Sequence, residues 1–158
     1  MKTSTPEEAS AFLRAKRIAL VGLSRNEKDF GHGVLRALAE RGHDVVPVNP
    51  AAAARPATGG GRAWFARLQD VTPPPDAALL LTSPGQTERV LRDCVEAGVK
   101  RVWLHRGAGP GAESPGALAF CAKHGIEVVH GLCPFMALPG AGLGHRVHAF
   151  FRLRSRRS

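Results

Sequence analysis

Residues 18–33 read Ile-Ala-Leu-Val-Gly-Leu-Ser-Arg-Asn-Glu-Lys-Asp-Phe-Gly-His-Gly (IALVGLSRNEKDFGHG). The run Arg17 to Val21 is apolar, short and closed by Gly22, the pattern of a buried strand. From Gly33 to Arg41, Val34, Leu35 and Leu38 recur at helical spacing, and Gly42 stops that helix. A strand, a turn at glycine and a helix form the first half of a βαβ unit. The loop between them is poor in glycine, and the dinucleotide fingerprint G-x-G-x-x-G cannot be laid over it.

Working outward, Thr5-Pro-Glu-Glu8 is a capping box with proline at the first helical position and predicts a helix from Pro6 to about Arg14. Asp44 to Val48 (DVVPV) predicts a second strand, in which Pro47 must sit where its missing N–H does no harm. Ala51 to Arg62 (AAAARPATGGGR) reads as a loop, followed by Trp64, Phe65 and Leu68 as anchors of a short helical turn. Pro73-Pro-Pro75 is a stiff connector into a third strand, Ala77 to Leu81. A helix from near Pro84 to Gly98 precedes the fourth strand, Val102 to Leu104. The Gly/Pro-rich loop 107–116 leads to a helix ending at Gly125, and Ile126 to Val129 is the fifth strand. This alternation predicts an α/β fold, a doubly wound five-stranded parallel sheet of order 3-2-1-4-5 with helices on both faces. In that order the ligand crevice lies beyond the carboxyl ends of strands 1 and 4.

The crevice can then be enumerated. Gly22, Leu23, Ser24 and Arg25 follow strand 1; the glycine, the hydroxyl and the helix end suit an anion, with Arg25 and Lys28 adding charge, and equally suit a tight βα turn with exposed charges that binds nothing. Asn49 and Pro50 follow strand 2, where a nicotinamide dinucleotide site ordinarily carries Asp or Glu for the ribose hydroxyl. Thr82, Ser83 and Pro84 follow strand 3, and His105, Arg106 and Gly107 follow strand 4. His130, Gly131 and Cys133 follow strand 5. No G-x-S-x-G elbow, carboxylate pair or H-E-x-x-H occurs, and His145 with His148 would need a further ligand to hold a metal. The three cysteines, Cys94, Cys121 and Cys133, form no C-x-x-C, and Cys133 is more simply a buried thiol than a reactive one.

The segments VGLS (21–24), GHDVVPVNP (42–50), LQDVTPPPD (68–76), GVKRVWLHRG (98–107) and HGIEVVHGLCP (124–134) together resemble the small single-domain bacterial CoA-binding proteins. Their domain is similar to the nucleotide-binding domain of the succinyl-CoA synthetase alpha subunit. The likeness spans roughly residues 10–135 in order and register. It implies a Rossmann-like domain that holds CoA or an acyl-CoA by its nucleotide and phosphates. By matching position, Gly22, Leu23, Ser24 and Arg25 would hold phosphates, with Arg25, Lys28 or Arg106 pairing with them. Asn49 and Pro50 would line the nucleotide, Thr82, Ser83 and Pro84 would lie beside the adenine, and His105, Arg106 and Gly107 would close the far side. Gly144-His145 resembles the phosphohistidine motif of the synthetase, but that motif belongs to a second domain with no counterpart in this sequence. The expectation is therefore a binding module rather than an enzyme.

The 158 residues suit one domain at 1–135 with a basic tail at 136–158, part of it helical through Leu143, Val147, Phe150 and Phe151. Of the formal charge of +9, Arg146, Arg152, Arg154, Arg156 and Arg157 supply five, and no acid follows Glu127. Such a tail solubilises, or touches an anionic membrane surface or nucleic acid, though no base-reading motif is present. Two other functions fit the pattern less well. One is an NAD(P)-dependent oxidoreductase or epimerase on the same fold, and the other is a nucleic-acid-associated protein working through the tail. The opening MKTSTPEEAS lacks the marks of a signal peptide, so a cytoplasmic protein is expected, with a small nucleotide as ligand and a second copy as partner.

Overall fold

In a computed structural model, residues 2–51, 62–106 and 111–138 are described. Gly107, most of the loop 51–62, His145, His148 and the rest of the basic tail lie outside the described residues. Helix α1 (Pro6–Phe12) opens on the expected box: Thr5 Oγ1 accepts from the Glu8 N–H, and Glu8 Oε2 accepts from the Thr5 N–H. It is followed by β1 (Arg17–Val21), α2 (Phe30–Glu40) and β2 (Asp44–Val48). Among the described residues a 3-10 turn (Leu68–Asp70) stands between β2 and β3 (Ala77–Leu80). The chain continues through α3 (Pro84–Glu96), β4 (Arg101–Leu104), α4 (Pro115–Lys123), β5 (Glu127–Val129) and α5 (Pro134–Ala137).

All strand pairs are parallel, and side chains alternate between two packed faces. Ile18, Leu20, Leu79 and Trp103 pack with α1, α2 and Leu138 on one face. Ala19, Val21, Leu80 and Leu104 pack with Leu68, α3 and α4 on the other. Trp103 is wholly buried, meets the Phe12 ring edge-on at 5.3 Å and donates its Nε1–H to the Leu132 carbonyl at 3.1 Å. The packed body continues to Leu138, itself buried, and α5 crosses the 135/136 division drawn from the sequence.

The doubly wound class stands, but the strand order is corrected: it is β2-β1-β3-β4-β5, not 3-2-1-4-5. Winding reverses after β2, because the connection to β3 recrosses the sheet on the face opposite α2 and sets β3 against β1. β2 is therefore an edge strand. Among the described residues its outer side meets a bridge at Phe65, whose N–H donates to the Pro47 carbonyl at 3.1 Å, and the Arg62 guanidinium, which donates to the Val45 carbonyl at 3.3 Å. N–H and C=O of one strand residue point the same way, so the missing N–H of Pro47 lies on that outer side. A third strand could not have paired there fully. Pro47 thus carried the signal for the correct order. At the amino ends of the strands, Arg17 ties three segments together. It pairs with Asp44, donates Nε–H to the Pro73 carbonyl at 2.8 Å, and offers its backbone N–H to Asp76 Oδ2 at 3.0 Å.

Candidate functional site

With β3 beside β1, the reversal of winding falls between these two strands, and the crevice expected beyond strands 1 and 4 lies beyond β1 and β3 instead. There the sheet opens into a cleft of about 790 Å³ on the α3 face. Val21, Val48 and Leu68 make its floor apolar, and Gly22, Asn49, Pro50 and Thr82 line its upper end. Arg67, Gln86, Arg89 and Asp93 supply a polar wall.

Gly22 occupies a position that only glycine fills without strain. Its φ is +89°, and a Cβ would stand 3.2 Å from the Leu81 carbonyl carbon and 3.3 Å from Thr82. Its own N–H, however, donates to the Val48 carbonyl at 2.8 Å, so this group knits β1 to β2 rather than facing an anion. Asn49 joins the two loops at the cleft's upper end. Its Nδ2 donates to the Leu23 carbonyl at 2.8 Å and its Oδ1 accepts from the Ala51 N–H at 2.9 Å. One N–H and one lone pair remain on that amide for a ligand. Leu23 is itself buried, and a Cβ on Gly31 would stand 2.7 Å from the Leu23 and Leu81 side chains, so α2 starts hard against the ends of β1 and β3. The Ser24 hydroxyl accepts from the Asn26 N–H at 3.0 Å and keeps its own hydrogen to donate, while His32 Nε2 holds the Ser24 carbonyl at 2.7 Å. Arg25 does not line the cleft but donates to the carbonyl of Ala51, which does. Lys28 is exposed on the loop and lines no part of the cleft.

At the start of α3 the hydroxyls of Thr82 and Thr87 meet at 2.8 Å. Thr87 donates to the Ser83 carbonyl at 3.1 Å, so Thr82 must donate to Thr87 and can offer a ligand only lone pairs. The Ser83 hydroxyl makes no cap hydrogen bond and stands exposed, with Pro84 at the first helical position.

The residues after β4 and β5 gather elsewhere. His105 stacks on Phe30 at 4.6 Å, and Phe30 meets Phe135 edge-on at 5.2 Å. Burial pushes the His105 imidazole down to about 4, leaving it neutral. Arg106 Nη1 lies 3.7 Å from Glu113 Oε1, and the buried His130 has Nδ1 at 3.6 Å from the same oxygen. Glu113 Oε2 accepts from the Gly131 N–H at 3.0 Å. His105, Arg106, His130 and Gly131 therefore close this end of the sheet and do not line the cleft. Cys133 precedes α5, half-buried, and burial raises its thiol, which keeps it protonated. Cys94 and Cys121 are fully buried and pushed up to about 12 and about 11, chiefly by desolvation. Among the described residues no cluster of His, Cys, Asp or Glu could hold a metal ion, and no helix is long and apolar enough to cross a membrane.

Sequence reasoning missed Arg67, Gln86, Arg89 and Asp93. The last three sit with Val90 at positions i, i+3, i+4 and i+7 of α3, one face of a helix. That spacing was visible, but nothing in the sequence said that this face borders a cleft.

Residues 16–139 match the model of a family described as the CoA binding domain. The chain belongs to the CoA binding domain family. Its fold recurs in a hypothetical protein from Pyrococcus horikoshii OT3, with 25% identity over 89% of this chain and 98% of that one and a TM-score of 0.74. A conserved hypothetical protein from Pyrococcus furiosus is 31% identical over 75% of this chain and 95% of its own, with a TM-score of 0.63. A dinucleotide-forming acetyl-coenzyme A synthetase from Ca. Korarchaeum cryptofilum, in complex with phosphate and ADP, is 25% identical over 73% of this chain with a TM-score of 0.59. The match covers 25% of that larger chain.

Proposed function

We propose that this protein binds CoA or an acyl-CoA without catalysing a reaction on it, taking the nucleotide end into the cleft beyond β1, β2 and β3. The observation that carries the reading is the cleft itself: an apolar floor at the point where winding reverses, walled by arginines, in a chain of the CoA binding domain family. An adenine ring suits a floor of Val21, Val48 and Leu68, beside Asn49, Pro50 and the start of α3. The pyrophosphate suits the loop Leu23–Arg25 and the Ser24 hydroxyl, next to the amino end of α2.

The lining also favours binding over catalysis. Among the described residues that line it, the one carboxylate, Asp93, is held by Gln69 at 2.8 Å, and the one hydroxyl, Thr82, already donates to Thr87. A nicotinamide dinucleotide fits less well, because Asn49 stands where such sites place an acid. Calorimetric titration with CoA, dephospho-CoA, NAD and NADP tests the reading. CoA is expected to bind more tightly than either nicotinamide dinucleotide. Absence of CoA binding, or a preference for NAD, would overturn it.

A further inference from the structure

The cations that the sequence offered for phosphate recognition do not line the cleft. Arg106 is paired with Glu113, Arg25 donates to the Ala51 carbonyl, and Lys28 lies outside the cleft. The wall of the cleft carries two other arginines. Arg89 is exposed on the α3 face that borders the cleft and forms no ion pair with a described residue. Arg67 stands just before the 3-10 turn, anchored by the buried Leu68. Its Nη2 lies 4.0 Å from Glu96 Oε2, with both side chains more than half exposed, a contact too weak to hold it from a ligand.

We infer that Arg89, assisted by Arg67, recognises the 3′-phosphate of the CoA ribose and so selects CoA over nucleotides that lack it. This rests on the proposed function above. The heights of the groups support it. The loop after β1 stays at the carboxyl end of the sheet, whereas α3 descends from that end along the flank. Arg89 lies three residues past Gln86, about 4.5 Å lower along the helix. Two levels of anion-binding groups, the Ser24 hydroxyl with the amino end of α2 at the loop and Arg89 on the flank, match a ligand whose pyrophosphate and 3′-phosphate are separated by a ribose. The planar guanidinium suits a phosphate through paired hydrogen bonds. Asp93, one turn further along the same face, is restrained by Gln69 and leaves the Arg89 charge unneutralised by an ion pair.

The test is calorimetry of the full chain and of Arg89→Ala and Arg67→Ala with CoA and dephospho-CoA, with circular dichroism as a check on folding. Alanine at an exposed helical position preserves the helix. Arg89→Ala should lose at least ~10-fold in CoA affinity and leave dephospho-CoA binding unchanged, with Arg67→Ala losing less. Arg89→Lys should restore part of the loss. Equal losses for both ligands would overturn the inference by assigning Arg89 to the pyrophosphate, and no loss for either would overturn it outright. If the unaltered protein bound neither ligand, the proposed function would fall and this inference with it.

Discussion

Beyond β1, β2 and β3 the carboxyl edge of the sheet opens into a cleft walled by Arg67, Gln86 and Arg89, whereas beyond β4 and β5 the chain closes over itself. Both regions are rich in polar side chains, and the difference lies in what those side chains meet. On the closed side Glu113 gathers Gly131, Arg106 and His130, and the Trp103 indole is tied to Leu132. On the open side Asn49 and the Thr82–Thr87 pair brace the upper end, while the arginines of the wall stay without strong partners. A polar group that satisfies its neighbour stabilises the fold, and one left over can serve a ligand.

This contrast can be broken experimentally. The largest effect should come from Trp103→Ala, which empties the core beneath the closed end. A loss of about 3–5 kcal/mol in urea unfolding is expected, and a loss below ~1 kcal/mol would mean that the core is not packed as described. Glu113→Ala should cost about 1–3 kcal/mol by leaving the Gly131 N–H without its acceptor, with CoA affinity unchanged. A parallel fall in affinity would show that the two regions form one site. Asn49→Ala should cost about 1 kcal/mol in stability and also weaken CoA binding, because it releases the loops at the cleft's upper end. Stability loss with no change in binding would remove Asn49 from the site.

The smallest effect, absent at neutral pH, concerns His105. Its folded-state value of about 4 lies below the ordinary histidine value of about 6.5, so between the two the unfolded chain binds more protons. The stability linked to the neutral ring is fully present above the ordinary value and is lost as pH falls toward about 4. Urea midpoints measured across that range should fall less steeply in His105→Phe, which keeps a ring against Phe30, than in the unaltered protein. Equal slopes would place the acid sensitivity elsewhere.

Much of the fold was legible in the sequence. β1 and β2 keep the bounds read from the sequence, each a charged residue followed by an apolar run, and the capping box at Thr5 starts α1 as its spacing requires. Helix α2 starts at Phe30, before the apolar periodicity begins, because Asp29 provides the extended residue that precedes it. Helix α5 was missed: four residues are too few to establish a period. Of the candidate site, Gly22, Asn49, Pro50 and Thr82 line the cleft, since residues just past a parallel strand end must stand at the sheet's carboxyl edge. His105 and Arg106 satisfy the same rule but belong to the closed region.

By itself, the sequence determined the local elements and the parallel two-faced sheet, because hydrophobic period, caps and glycine stops act over a few neighbouring residues. It also carried, in Pro47, the reason why β2 stands at an edge. Only the tertiary structure decided that β3 pairs with β1, that the α3 face bearing Gln86, Arg89 and Asp93 borders the cleft, and that Arg106 is taken by Glu113. Those outcomes depend on which distant segments share a space. A side chain's availability to a ligand is set by its neighbours in that space, not by its neighbours in the chain.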